Sequence, residues 1–118
     1  MSLPELKKRL ADFAAARDWD QFHSPKNLSM GLAAEAAELL EIFQWLTEEQ
    51  SRDITADDRE MQHVREEIAD VFIYLVRLAD KLDVDIEKAV LEKITLNESR
   101  YPVELSKGKS TKFSRRQD

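Results

Sequence analysis

Two pairs of acidic residues interrupt apolar stretches of the sequence. Glu35 and Glu38 lie in a run of alanine and leucine, and Glu67 and Asp70 lie among isoleucine, valine and phenylalanine. Residues three positions apart on an α-helix share a face, with Cβ atoms about 5–6 Å apart. The two carboxylates of each pair can therefore bind one cation between them. Because adjacent buried carboxylates are unfavourable without a compensating charge, we predict that these four acids bind a metal. The alternative is a solvated face on which they pair with Lys or Arg.

The ligand types select the metal. Carboxylate oxygens are hard ligands, so Mg²⁺ fits best and Mn²⁺ can replace it. Di-iron helical bundles use a Glu-x-x-His motif, but neither His23 nor His63 stands three residues after any of the four acids. Iron-oxygen chemistry is therefore disfavoured. Glu41 continues the Glu35 and Glu38 series and is a candidate base for an attacking water, although a surface salt bridge explains it equally well.

Composition narrows the class of protein. The chain has 118 residues, of which 36% are charged, with two Gly, three Pro and no Cys. These values suit one helix-rich domain and exclude disulfides and thiolate metal sites. The net charge of −6 argues against nucleic-acid binding. The sequence shows no apolar run of membrane-spanning length, and we predict a cytoplasmic protein.

Apolar periodicity and capping residues predict an all-α, four-helix bundle. The second helix is apolar over more than one stripe, which indicates that oligomerisation completes the core. Residues 47–53 are predicted to form a loop, residues 1–105 a domain and residues 106–118 a basic, irregular tail. The four predicted helices run from Pro4 to about Ala16, from Pro25 (capped by Ser24) to about Leu46, from a capping box at 55–58 to about Leu82, and from Ile86 to just before Tyr101.

Four segments, in order, resemble one known family. They are RDWxQFH at 17–23, EAAELLEIFQW at 35–45, EEIADVFIY at 66–74 and NxxRYP at 97–102. Together they resemble the MazG-like all-α nucleoside-triphosphate pyrophosphohydrolases, most closely the dCTP pyrophosphatase branch. The match extends from about Leu6 to Phe113 and is more specific than either acidic pair alone.

The resemblance implies a Mg²⁺-dependent enzyme that clears nucleotides from the cellular pool. By this resemblance Glu35, Glu38, Glu67 and Asp70 would bind the metal. We predict from the acidic series on the second helix that Glu38 and Glu41 are catalytic. The implied reaction hydrolyses a deoxynucleoside triphosphate to the monophosphate and pyrophosphate. The implied assembly is a homodimer or homotetramer.

The resemblance also implies a nucleotide-binding surface. Two tryptophans offer flat faces for a base, although a Trp considered alone is as readily a core anchor. Some relatives carry a first-helix His near the base where Leu10 stands here, so dUTP or a damaged purine triphosphate stays an alternative to dCTP or a modified pyrimidine. A non-catalytic helical interaction module is the alternative from another class. The implied substrate-binding residues are Trp19, Gln21, Phe22, His23, Trp45, Tyr74 and Asn97.

Overall fold

The computed structural model describes residues 1–116, and within that range every regular element is helical. The all-α prediction is confirmed, and the four long helices are those expected from the periodicity. The chain forms two compact units, Met1–Val84 and a second beginning at Asp85. The first unit contains α1 (Leu3–Ala16), α2 (Pro25–Phe43), α3 (Glu48–Arg52) and α4 (Asp58–Lys81), and the second contains α5 (Ile86–Arg100) and α6 (Val103–Ser106).

Local capping explains where the first two long helices begin. The Ser2 hydroxyl accepts from the Glu5 amide at 3.2 Å, and Pro4 lies in the first turn of α1. The Ser24 hydroxyl accepts from the Asn27 amide at 3.1 Å, with Pro25 at the first helical position. These caps satisfy amides that have no partner within the helix, as the sequence predicts.

Three local predictions were wrong. The predicted loop at 47–53 contains α3, because Thr47 and Gln50 form a reciprocal capping box. The cap of α4 is Asp57, not Thr55, since its carboxylate accepts from two amides at 3.1 Å while 53–56 forms a 3₁₀ turn. The second helix ends at Phe43 rather than near Leu46.

The core of the first unit lies between α2 and α4. Leu28 of α2 and Val76 of α4 are both only 1% exposed. Gly31 contacts Tyr74, while Glu35 and Glu38, further along α2, approach Glu67, which precedes Tyr74 on α4. The two helices therefore run antiparallel, and this arrangement brings the Glu35 and Glu38 pair to Glu67, while Asp70 is not part of that group. Helix α1 also packs on α4.

The second unit consists of α5, α6 and a 3₁₀ turn. Asp85 caps α5 by accepting from the Lys88 amide at 3.0 Å. The Tyr101 hydroxyl accepts from the Phe113 amide at 2.8 Å, and the Arg100 guanidinium lies 5.4 Å from the centre of the Phe113 ring. The tail is therefore not wholly irregular, because 113–115 is a 3₁₀ turn. The predicted boundary between residues 105 and 106 stays a prediction.

The lengths and apolar content of the helices bear on whether any of them could span a membrane. Over residues 1–116, none of them combines the length and the apolar character needed to cross a membrane.

Candidate active site

Three carboxylates converge where α2 and α4 face each other. One oxygen each from Glu35, Glu38 and Glu67 lie within 4.8 Å of one another. Glu67 is buried at 9% exposure, Glu35 is half-buried and Glu38 is exposed. The cluster therefore has a closed side toward the helix interface and an open side toward solvent, the arrangement that a catalytic cation needs.

Two oxygens in the cluster receive no hydrogen bond from any residue between 1 and 116. They are Oε2 of Glu35 and Oε2 of Glu67, and both are buried. The His63 ring lies beside Glu67, with its Nε2 3.9 Å from Oε1. Leaving a buried carboxylate oxygen without a donor is unfavourable, since such groups are normally paired or bound to a metal. The donor set, all carboxylate oxygen, fits a hard divalent cation.

Neighbouring carboxyl groups, through hydrogen bonding and repulsion, favour the protonated form of Glu35. The Glu38 carboxyl close to that of Glu35, burial, and the neighbouring Glu67 together raise the pKa of Glu35 to about 7. The charge of Asp70 contributes in the same direction, so this fourth predicted ligand lies close enough to act on Glu35. A divalent cation would remove this repulsion and favour the ionised form.

An open acidic cleft of about 590 Å³ adjoins the cluster. It includes Glu41, the candidate base, on the same side of α2 as Glu38. Sequence reasoning did not place Glu60 and His63 here. Their spacing from Glu67 could have predicted this position. His63 lies four residues before Glu67 on α4, and residues at that spacing share one face of a helix. The cleft is lined by Glu38, Glu41, Ile42, Glu60, His63 and Glu67.

A second cleft, of about 330 Å³, lies toward the other ends of the same helices and is mostly aromatic. The 17–23 segment enters it through a 3₁₀ turn, and the ring of Trp19 packs edge-on against Phe13 at 5.8 Å between centroids. Four of the predicted substrate-binding residues meet in this cleft. Its lining is Trp19, Phe22, His23, Asn27, Leu28 and Tyr74, of which Asn27 and Leu28 were not predicted.

The remaining predicted substrate residues lie elsewhere. The Gln21 amide donates to the backbone and carboxylate oxygens of Asp18, at 3.0 and 2.9 Å, so it stabilises the turn. Trp45 follows the end of α2 and is 87% exposed. Asn97 lies on α5, in the second unit. Among the residues of the first unit, the lining of the aromatic cleft includes neither Gln21 nor Trp45.

Fold and site together define an all-helical protein with a carboxylate cluster suited to a cation and an aromatic cleft on the same helix pair. The MazG-like family model matches residues 32–115, which include all four acids. The chain belongs to the MazG-like family.

Relatives of known name extend the comparison. The chain is 43% identical to dCTP pyrophosphatase 1 of Bos taurus and 42% identical to that of Homo sapiens, in each case over 96% of this chain. It spans about two thirds of their length, 67% and 66% respectively. The fold is similar to the crystal structure of a pyrophosphatase from Archaeoglobus fulgidus, with 41% identity, a TM-score of 0.76 and coverage of 84% of this chain and 91% of that one.

Proposed function

We propose that this protein hydrolyses a deoxynucleoside triphosphate, dCTP or a modified pyrimidine analogue, to the monophosphate and pyrophosphate. The observation that supports the proposal is a pair of buried oxygens, one on Glu35 and one on Glu67, that receive no hydrogen bond from residues 1–116. They belong to a carboxylate cluster beside an open cleft. The names of the relatives, dCTP pyrophosphatase 1, support the substrate and reaction.

In this proposal Glu35, Glu38, Glu67 and Asp70 hold Mg²⁺, for which Mn²⁺ can substitute. The bound cation would neutralise phosphate oxygens and increase the acidity of a nearby water. Substrate access and ligand position depend on the protein's own side chains. The exposed acidic cleft gives the triphosphate access to the cluster, and the buried side of Glu67 keeps the ligand set in place.

The proposed reaction is an in-line displacement at the α-phosphorus. The water oxygen forms a bond to that phosphorus, the bond to the oxygen bridging toward the β-phosphorus breaks, and pyrophosphate leaves. Glu41 shares the cleft with Glu38 and is proposed to accept the proton of the water. Trp19 and Tyr74 would contact the base by stacking in the aromatic cleft.

The test is a panel of nucleotides with product identification. Purified protein with Mg²⁺ is incubated with dCTP, 5-substituted dCTP analogues, dUTP and oxidised purine triphosphates, and phosphorus products are resolved by NMR. We expect pyrophosphate and the monophosphate, fastest from a cytosine nucleotide. Fastest release from dUTP or a purine would move the substrate to that base. No product from any nucleotide would overturn the enzymatic assignment and favour an interaction module.

We also propose that the protein forms a homodimer or homotetramer. Ile68, Phe72 and Leu75 lie on one face of α4 and remain 53%, 39% and 38% exposed. A contiguous exposed apolar face of this kind is typical of an interface between protein chains. A second copy of the chain is the proposed occupant, and the cytoplasmic location stays a prediction from the sequence.

A further inference from the structure

A buried cation lies directly behind the aromatic cleft. Arg77 on α4 is only 4% exposed. Its Nη2 donates to Oδ1 of Asp20 at 3.0 Å, and its Nη1 donates to Oδ2 of Asp80 at 3.3 Å. Asp20 also accepts from Nζ of Lys81 at 2.5 Å. The planar guanidinium is therefore fixed on both sides by carboxylates, which is the geometry in which Arg cannot be replaced by Lys without loss.

The same guanidinium contacts His23, which lines the aromatic cleft. Arg77 Nε and Nη2 lie 3.3 and 3.2 Å from Nδ1 of His23. Arginine has donors and no acceptor, so Nδ1 must present its lone pair. The proton of the neutral ring is then on Nε2. Burial and the charge of Arg77 lower the pKa of His23, against the opposing effect of Asp20.

The second ring nitrogen of His23 is available to a ligand. Within residues 1–116, no hydrogen-bond partner is found for Nε2, while Nδ1 is engaged from behind by Arg77. Because Trp19 and Tyr74 line the same cleft, a base stacked there would meet this edge of the imidazole. A neutral Nε2–H is a donor, and a pyrimidine carbonyl oxygen or ring nitrogen is an acceptor.

We propose that Arg77 is a positioning residue that holds His23 as a neutral Nε2–H donor toward an acceptor atom of the bound base. The proposal rests on the proposed function, because it assumes that the aromatic cleft receives the base. It assigns a role in base recognition to a residue 54 positions from His23 in sequence. Arg77 would act through His23 and would not itself contact the nucleotide.

The tautomer can be measured without turnover. Long-range ¹H–¹⁵N NMR at pH 7 distinguishes a protonated from an unprotonated ring nitrogen, and a His63→Gln variant assigns the two histidines. We expect an unprotonated Nδ1 and a protonated Nε2 for His23 in the wild type. We also expect dCMP to shift the Nε2 resonance more than the Nδ1 resonance. The opposite tautomer, a charged ring, or no response to dCMP would overturn the proposal.

Two substitutions of His23 separate its two nitrogens. In His23→Gln the side-chain amide can occupy the place of Nε2 and still donate, whereas in His23→Asn it reaches only the place of Nδ1. Losing one hydrogen bond to the base predicts a rise in KM of about three- to tenfold for His23→Asn, with a smaller rise for His23→Gln. Equal KM values in both variants would contradict a donor at Nε2.

Arg77→Lys tests the positioning role, with Arg59→Lys, on the exposed face of the same helix, as the matched control. We expect Arg77→Lys to mix the two His23 tautomers and to raise KM more than it lowers kcat, and Arg59→Lys to do neither. Unchanged tautomer and KM in a folded Arg77→Lys protein would overturn the role of Arg77. If that variant does not fold, the wild-type spectrum and the two His23 variants still test the proposal. If the wild type turns over no nucleotide, the proposed function fails, while the spectrum still tests the contact between Arg77 and His23.

Discussion

The position of Glu35 in the fold disfavours the charged form of its carboxylate. It is half-buried, it has one oxygen without a donor, and it lies against two further carboxylates. Each of these features disfavours its charge in the absence of a cation. Ionising Glu35 is therefore unfavourable until a divalent cation compensates the charge. Cation binding would then increase the free energy of unfolding.

The first prediction concerns metal-free protein. The pKa of Glu35 is raised from 4.5 to about 7 by Glu38, burial and Glu67. Between these values Glu35 holds more protons in the folded state than in the unfolded state, so its contribution to the free energy of unfolding falls as pH rises from about 4.5 to 7. Urea unfolding in EDTA measures this slope. Glu35→Gln should flatten it, and the exposed Glu98→Gln should not. An unchanged slope in Glu35→Gln would contradict the assignment.

The shared helix face of each acidic pair could be predicted from sequence, whereas the contacts around the aromatic cleft could not. The three-residue spacing of each acidic pair places both members on one helix face, and this local rule needs no tertiary structure. The contact between Arg77 and His23 joins residues 54 positions apart, and it depends on how the 3₁₀ turn docks on α4. The amide of Gln21 donates within the local turn, and its role in substrate binding stays a prediction.

At the scale of elements, the approach of α2 to α4 depends on Gly31. A Cβ at this position would lie closer than 3.0 Å to the ring of Tyr74. Tyr74 in turn lines the aromatic cleft. The absence of a side chain at Gly31 therefore sets both the helix spacing and the position of one wall of the cleft.

We predict that Gly31→Ala lowers the free energy of unfolding by about 1 kcal/mol, because overpacking costs about 1–3 kcal/mol and the gain in helix propensity offsets about 1 kcal/mol. It should also raise KM by displacing Tyr74. Chemical denaturation measures the first effect. The double variant Gly31→Ala/Tyr74→Leu should recover stability but not KM. A single variant as stable as the wild type would show that the ring is not tightly held.

The start of α4 gives a second element-scale prediction. Asp57 accepts from two amides of the first turn, whereas Thr55 lies in the preceding 3₁₀ turn. Loss of such a cap typically costs about 1 kcal/mol. We expect this loss for Asp57→Ala and a much smaller effect for the control Thr55→Ala, both measured by urea denaturation. The reverse order would restore Thr55 as the cap.

The long helices were predictable because each combines an apolar periodicity with a side-chain cap. Helix α3 was missed because its five residues, EEQSR, carry no apolar residue, and its stability comes from the Thr47 capping box and its neighbours. The end of α2 was placed too late because Trp45 and Leu46 continue the apolar pattern after the helix has ended. The apolar pattern therefore predicts a helix only where one face of that helix is buried.

At the scale of the whole molecule, much apolar surface remains exposed. Among residues 1–116, only five hydrophobic residues are buried, while Ile68 and Phe72 of α4 and Leu40 of α2 are 53%, 39% and 59% exposed. A chain of this size normally buries a larger core. This balance is the structural support for the proposed self-association.

We predict that the protein elutes as a dimer or tetramer, and that Ile68→Glu together with Phe72→Glu shifts it toward monomer because charges are disfavoured in a buried interface. Light scattering after size exclusion gives the mass. Leu91→Glu, at an exposed apolar position of α5, is the comparison. A monomeric wild type at micromolar concentration would contradict the proposed assembly.

The most direct test of the metal centre is the rate of pyrophosphate release from dCTP as a function of Mg²⁺ concentration, in wild type, Glu67→Gln and Glu66→Gln. Glu67 is buried in the cluster, whereas Glu66 is exposed and accepts from Gln62 at 3.2 Å. We predict saturable Mg²⁺ dependence in the wild type and in Glu66→Gln. For Glu67→Gln we predict a loss of about 100-fold or more, since even outer-shell partners of a metal contribute about 10–100-fold. A Glu67→Gln enzyme with wild-type rates and Mg²⁺ dependence would contradict the assignment of the carboxylate cluster as the catalytic metal site.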